Sequence, residues 1–222
     1  MIEAVLFDLD GTLIDTAPDM GGALNNLLIE ENYPALPLET IRPFVSQGGL
    51  VLTRLGFAER VDAAEIEPLR QRFLQHYRQI VADNSRLFDG CATVLDRLES
   101  RGIRWGIVTN KPELYTTPVM QGLALQPEAG SVICPDHVHE RKPHPEALYL
   151  ACSELNTDPL RCVYVGDHRR DIEAGQRAGM KTIAVSYGYI DEDEDIHSWE
   201  SDYLVDHASE IRPLLETIFC NS

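Results

Sequence analysis

Two aspartates, Asp8 and Asp10, stand one residue apart where a short apolar run stops, in the opening stretch MIEAVLFDLDGTLIDT. Like charges this close repel, so the pair calls for compensation, and a divalent cation is the simplest source. Further along the chain lie Thr109-Asn110-Lys111, then Arg141-Lys142-Pro143, then Gly166-Asp167 with Asp171 following. Three or four carboxylates make a hard-oxygen site that suits Mg²⁺ better than zinc, which favours His and Cys. A hydroxyl, backbone amides and a lysine suit the non-bridging oxygens of a phosphate. A metal, an anion cradle and a spare carboxylate together equip a site for phosphoryl transfer. In such a site Asp8 can attack phosphorus and form an aspartyl-phosphate that water hydrolyses.

These groups are scattered, so regular elements must gather them. Four apolar, β-branched runs read as strands: EAVLFD, RWGIVTN, RCVYVGD and KTIAVSYG, with weaker ones in SVICPD and DYLVD. The first stops at Asp8-Leu9-Asp10-Gly11-Thr12, the second at Thr109-Asn110-Lys111 and the third at Gly166-Asp167. CATVLDRLESRG, PEALYLACSEL and RDIEAGQRAG carry helical periodicity between them. Strands alternating with helices imply a parallel sheet covered on both faces, and ligands of such a sheet sit beyond the carboxyl ends of its strands. From about Thr16 to about Leu87 the alternation breaks. Helical stretches, PDMGGALNNLLIEEN and EIEPLRQRFLQHYRQIV, are separated there by YPALPLE and SQGGLVLTRLGF, and no strand is expected.

Composition restricts the function classes. The 222 residues suit one large domain or a core with a smaller insertion, and 44% hydrophobic content supplies a core. With 36 acidic against 19 basic residues the formal charge is −17, which argues against nucleic acid or an anionic membrane as partner. Part of the excess is one run, DEDED at Asp191 to Asp195, expected to be solvated. No leader and no membrane-length apolar run is evident, so a cytoplasmic protein is expected. Five cysteines, Cys91, Cys134, Cys152, Cys162 and Cys220, form no C-x-x-C and read as reduced thiols.

D-x-D-G-T at Asp8, Thr109-Asn110, Lys142 and Gly166-Asp167 with Asp171, in this order and with a helical insertion after the first, resemble the haloacid-dehalogenase (HAD) superfamily in its phosphatase branch. The match covers essentially the whole chain. It implies a Rossmann-like α/β core, residues 1–15 and 88–222, with an inserted α-helical cap at 16–87, and Mg²⁺ as cofactor. Asp8 is then nucleophile and metal ligand. Asp10 is general acid and base, its main-chain carbonyl also on the metal. Gly11, Thr109 and Asn110 hold the phosphoryl oxygens, and Lys142 neutralises the nucleophile and the developing charge. Asp167 completes the metal shell with Asp171 in support. Dehalogenases lack the second aspartate and transport ATPases carry threonine there, so Asp10 favours turnover of phosphate esters. The matching cap loop of similar phosphatases faces the active site, which makes Arg42, Ser46, Gln47 and Gly48 candidates for reading a small phosphate ester. Arg42 or Arg54 could supply a cation to a small anionic substrate. The whole pattern resembles phosphoglycolate phosphatases, which act on 2-phosphoglycolate; RDIEAGQRAGMKTIAVSYGYI and SWESDYLVD also resemble N-acetylmuramic acid 6-phosphate phosphatases. The expected partner is a small-molecule phosphate ester, 2-phosphoglycolate first with N-acetylmuramic acid 6-phosphate as the alternative, and the expected assembly a monomer or homodimer.

Plainer readings compete. Asp8 and Asp10 could form a turn or helix cap, Thr109-Asn110 could cap the following helix, and Asp171 could be a first-turn acid of its helix. CPDHVHERKPHP holds Cys134, His137, His139 and His144, but a closed zinc site wants four ligands at tetrahedral spacing and no second cysteine pair lies nearby. His137 and His139 read as exposed loop residues, and Asp136 as a possible orienter of Lys142. A phosphomutase of the same fold, or a binding module without catalysis, are the alternatives outside this class; the second is disfavoured by an unbroken motif set.

Overall fold

A computed structural model describes residues 2–191 and 193–220 of the chain. Its sheet has six strands, all parallel, in the order β5-β4-β1-β6-β7-β8. These are β1 (Ala4–Phe7), β4 (Arg104–Val108), β5 (Val132–Ile133), β6 (Cys162–Gly166), β7 (Lys181–Val185) and β8 (Tyr203–Val205). All six runs read as strands from the sequence are present, the two weak ones at the sheet's edges.

Strand β1 is central and buried on both faces, as parallel strands under two helical layers are. Alternate side chains serve opposite layers. Val5 and Phe7 pack with α5 (Cys91–Ser100), α6 (Glu113–Leu123) and α9 (Ile211–Cys220), while Ala4 and Leu6 pack with α7 (Glu146–Leu155) and α8 (Arg169–Arg177). From β1 the sheet grows both ways, to β4 on one side and β6 on the other, so a crevice opens at their carboxyl ends. Register sets its depth: Phe7 lies level with Ile107 of β4 and with Val165 of β6. The residues just beyond, Asp8, Thr109 and Asp167, therefore emerge side by side.

Between β1 and β4 the chain leaves the sheet through β2 (Ile14–Asp15) and returns through β3 (Arg86–Leu87). The two pair antiparallel, Ile14 opposite Leu87 and Asp15 opposite Arg86. The excursion holds α1 (Ala17–Glu30), α2 (Leu38–Ile41), α3 (Gly49–Phe57) and α4 (Ile66–Ile80), and it buries its own apolar cluster around Leu24, Leu28, Phe57 and Phe73.

Two details differ from the sequence reading. Arg86–Leu87 is a short strand where none was expected. SQGGLVLTRLGF, taken as a connection, contains α3. Gly49 and Gly56 within it lower intrinsic helix propensity, but Leu52, Thr53, Gly56 and Phe57 form one buried face. Gly56 is small for a reason: a Cβ there would lie 3.1 Å from Leu24 Cδ1, so the glycine lets α3 approach α1. Among the described residues no helix is long and apolar enough to cross a membrane. Cys91, Cys134, Cys152 and Cys162 are free and buried, and the side chain of Cys220 lies outside the description. Of the acidic run, Asp193, Glu194 and Asp195 are exposed and Asp191 is half-buried; Glu192 is outside the described residues.

Candidate active site

Asp8 closes β1 with its side chain almost wholly buried, one oxygen accepting the Leu9 N–H at 2.7 Å. Lys142, fully enclosed, places its Nζ 3.0 Å from Asp8 Oδ1 and 2.8 Å from Asp171 Oδ1. The same ammonium donates to the Val108 carbonyl at 2.8 Å and to the Tyr164 hydroxyl at 2.7 Å. An ammonium held between two carboxylates, a carbonyl and a hydroxyl is fixed in direction. Asp136, considered as its orienter, does something else. It accepts the Glu113 N–H at 2.8 Å and so caps α6. Tyr164, which the sequence offered only as a strand residue, supports Lys142 instead.

Asp8, Asp167 and Asp171 form an acidic cluster in which one oxygen from each lies within 4.8 Å of the others. Asp167 accepts hydrogen bonds from Thr12 Oγ1 at 3.0 Å, Tyr189 N–H at 2.9 Å and Ser46 Oγ at 3.2 Å. Burial, then the charges of Asp8 and Asp171, push the Asp167 carboxyl up to about 7. Burial and Asp171 likewise raise Asp8, against the opposing pull of Lys142 and Arg170. Three crowded carboxylates with one lysine between them leave excess negative charge in a buried place, and hard oxygens at this spacing fit a small divalent cation. Asp171, besides meeting Lys142, accepts the His168 N–H at 3.1 Å, in a capping box at the start of α8.

Asp10 faces elsewhere. Its carboxylate meets Lys111 Nζ at 2.9 and 3.2 Å and accepts from Thr16 Oγ1 at 2.5 Å. Burial opposes the charge on Lys111, but Asp10 and Tyr77 together outweigh it and the lysine pKa is raised. Thr109 Oγ1 accepts the Lys111 N–H at 3.1 Å, and Asn110 Nδ2 donates to the Lys142 carbonyl at 3.1 Å. Thr109 and Asn110 thus shape the turn before α6 without capping it, a task that falls to Asp136.

Asp8, Asp10, Thr109, Asn110 and Lys142 share one cavity of about 630 Å³. Ser46, Gln47 and Gly48, from the turn before α3, line it from the helical insertion. Three expected residues stand apart. Gly11 cannot offer its amide to a phosphate, because the N–H is engaged by the Ile14 carbonyl at 3.0 Å. Its value is room: at φ +82° a Cβ would sit 2.1 Å from Asp167 Oδ2, so only glycine lets the loop pass beside that carboxylate. Arg42 does not line the cavity either. It pairs with Asp15 at 2.7 Å and lies 5.5 Å from the Tyr189 ring centroid, at the joint of the insertion. Arg54 is exposed on α3, also away from the lining. Of the arginines that do line the cavity, Arg141 stands beside Lys142 in the Arg141-Lys142-Pro143 stretch without a role of its own, and Arg70 and Arg170 carried no motif signal; their placement depends on how α4, α8 and the loops fold over the strand ends. The zinc reading has no support among the described residues, whose one potential metal cluster is the aspartate triad. His137 and His139 are exposed, as expected.

A sequence model of haloacid dehalogenase-like hydrolases matches residues 5–185. The chain belongs to this family. It is 43% identical over 99% of its length to an N-acetylmuramic acid 6-phosphate phosphatase of Pseudomonas putida, covering 98% of that protein. It is also 42% identical to a phosphoglycolate phosphatase of Xanthomonas campestris, over 94% of each chain. Among solved structures, a predicted phosphoglycolate phosphatase from Haemophilus somnus superposes with a TM-score of 0.83 at 25% identity, over 96% of this chain and 98% of that one. This HAD-family chain is a phosphatase of small phosphate esters.

Proposed function

We propose that this HAD phosphatase releases phosphate from N-acetylmuramic acid 6-phosphate through an aspartyl-phosphate on Asp8. The observation that carries the substrate is the cavity above Asp8. At about 630 Å³ it falls within the range of about 300–1,000 Å³ that houses drug-sized ligands, ample for an amino sugar and far larger than a two-carbon acid needs. The similarity to the Pseudomonas enzyme over nearly the full length supports the same substrate. A second reading, 2-phosphoglycolate, is favoured by the Xanthomonas relative. The helical segment 16–87 acts as the cap and the remainder as the catalytic core. Free buried cysteines are consistent with a cytoplasmic location.

In this mechanism Asp8 attacks phosphorus while the bond from phosphorus to the ester oxygen breaks. Asp10, carrying a proton when the ester binds, turns from Lys111 towards that oxygen and gives it that proton; as a carboxylate it then takes one from the water that cleaves phospho-Asp8 and frees inorganic phosphate, which restores it. Lys142 holds Asp8 in direction and balances charge gathering on the phosphoryl oxygens. Thr109 and Asn110 bind those oxygens. Asp8, Asp167 and the Asp10 carbonyl would hold Mg²⁺, with Asp171 in support; the ion, when bound, supplies positive charge for the nucleophile and the transferring group.

The test is phosphate release with Mg²⁺, comparing kcat/KM for N-acetylmuramic acid 6-phosphate and 2-phosphoglycolate. A preference of about tenfold or more for the sugar phosphate is expected, and the reverse preference replaces the first reading with the second. Asp8→Asn is expected to lower turnover of every ester about a thousandfold or more; ordinary turnover by the purified variant removes the nucleophile. EDTA is expected to silence the enzyme and Mg²⁺ to restore it, and activity indifferent to both removes the metal.

A further inference from the structure

Arg170 is the second residue of α8, one before Asp171, and the mechanism above does not use it. Its Nη2 donates to the Ser46 carbonyl at 2.6 Å. The hydroxyl of the same serine donates to Asp167 Oδ2 at 3.2 Å. One residue of the helical insertion is therefore gripped twice by the core, by Asp167 in the turn after β6 and by Arg170 in the first turn of α8. Directly after Ser46 come Gln47 and Gly48, which line the cavity across from Asp8. Arg170 lines the same cavity, and its Nε is buried without a partner. A guanidinium suits this duty because its rigid fork offers several donors in fixed directions, which an ammonium does not.

We propose that Arg170 is a specificity-determining positioning residue: with Ser46 it forms a clasp that holds the Gln47-Gly48 turn over Asp8. An ester whose leaving group reaches that turn gains a wall in a fixed place, and an ester too small to reach it gains nothing. Discrimination between large and small substrates then depends on a bond made by the core, not only on the side chains the insertion presents. The proposal rests on Asp8 as the reacting carboxylate, but half of its test does not involve chemistry.

Hydrogen exchange reads the clasp directly. The N–H groups of Gly48, Val51 and Leu52 bond to the carbonyls of Val45, Gly48 and Gly48 at 3.0, 3.1 and 3.2 Å. In Arg170→Ala these amides are expected to exchange about fivefold faster or more, with β1 and β6 unchanged. Ser46→Ala, which removes only the bond to Asp167, is expected to give a smaller increase and serves as the second variant if Arg170→Ala folds poorly. The catalytic half compares kcat/KM for N-acetylmuramic acid 6-phosphate with that for para-nitrophenyl phosphate. In Arg170→Ala the ratio is expected to fall about tenfold. Arg170→Lys keeps a positive charge beside Asp8 and is expected to recover aryl phosphate turnover without recovering the ratio.

Unchanged exchange in both variants overturns the clasp. So does an equal loss on both esters, or full recovery of the ratio by lysine, since either makes Arg170 a simple charge near the nucleophile. Failure of the Asp8 reading is distinguishable, because Asp8→Asn would then retain aryl phosphate hydrolysis while the exchange result stands by itself.

Discussion

Lys111 shows how chemistry at the residue scale was half legible. Its neighbours Thr109 and Asn110 were singled out as phosphate binders, while Lys111 was only the residue on which the strand run stopped. In the fold it is a buried counter-ion for Asp10, 4.9 Å from the ring centroid of Tyr77 in the insertion. Residues that must sit at a strand end announce themselves, because the end of an apolar run is visible in sequence. Partners such as Lys111, Tyr164 and Thr16 do not, since their roles arise from where side chains reach. Gly11 and Arg42 fail for the same reason, one having its amide engaged and the other its guanidinium. If Asp10 serves as acid, Asp10→Asn lowers kcat/KM for alkyl phosphates about a hundredfold or more and for aryl phosphates with good leaving groups by less than about tenfold. Equal losses on the two classes would withdraw that role. The acidic triad makes its own prediction. Mg²⁺ is expected to raise the melting temperature of the wild-type protein by a few degrees, and the rise should vanish in Asp167→Asn. A rise that survives the substitution would place the ion elsewhere.

Among the elements, strands were easier to read than the insertion. The strands β1, β4, β6 and β7 are largely buried apolar runs, whereas α3 begins and ends among glycines and is held by tertiary packing against α1 and α4. The start of α1 depends equally on distant residues. Its N-cap residue Thr16 makes no side-chain cap bond; the Tyr189 hydroxyl, from beyond β7, accepts the N–H groups of Thr16 and Ala17 at 2.6 and 2.8 Å and donates to Asp15 Oδ1 at 2.8 Å, which itself accepts the Ala17 N–H at 3.3 Å. Tyr189→Phe leaves two buried donors without that oxygen, and a loss of about 1–3 kcal/mol in urea unfolding is expected. No change in the unfolding midpoint would mean that another acceptor takes over.

At the scale of the whole molecule, pH acts through the strand-end crevice. Burial, then the charge of Arg170, lowers the His168 pKa to about 4. The unfolded imidazole takes up a proton below about 6.5, but the folded one does not until about 4, so stability falls as pH drops through that window. The loss is on the order of 3 kcal/mol. Asp167, raised to about 7, works in the opposite sense when no metal is bound, because its folded form gains a proton at a pH where the unfolded form is still ionised. The comparison that isolates the histidine is His168→Asn, whose side chain can still cap α8. Its unfolding free energy should be less sensitive to pH between 6.5 and 4 than that of the wild type, and parallel curves would refute the assignment. The paired strands β2 and β3 bear on the molecule's history. Since Ile14 faces Leu87 and Asp15 faces Arg86, the chain leaves the core and re-enters it at one spot. As far as the sheet is concerned, everything between could be a hairpin turn. A lineage can lengthen, shorten or exchange that excursion without shifting β1 against its neighbours, and so acquire new substrates while its reacting groups stay in place.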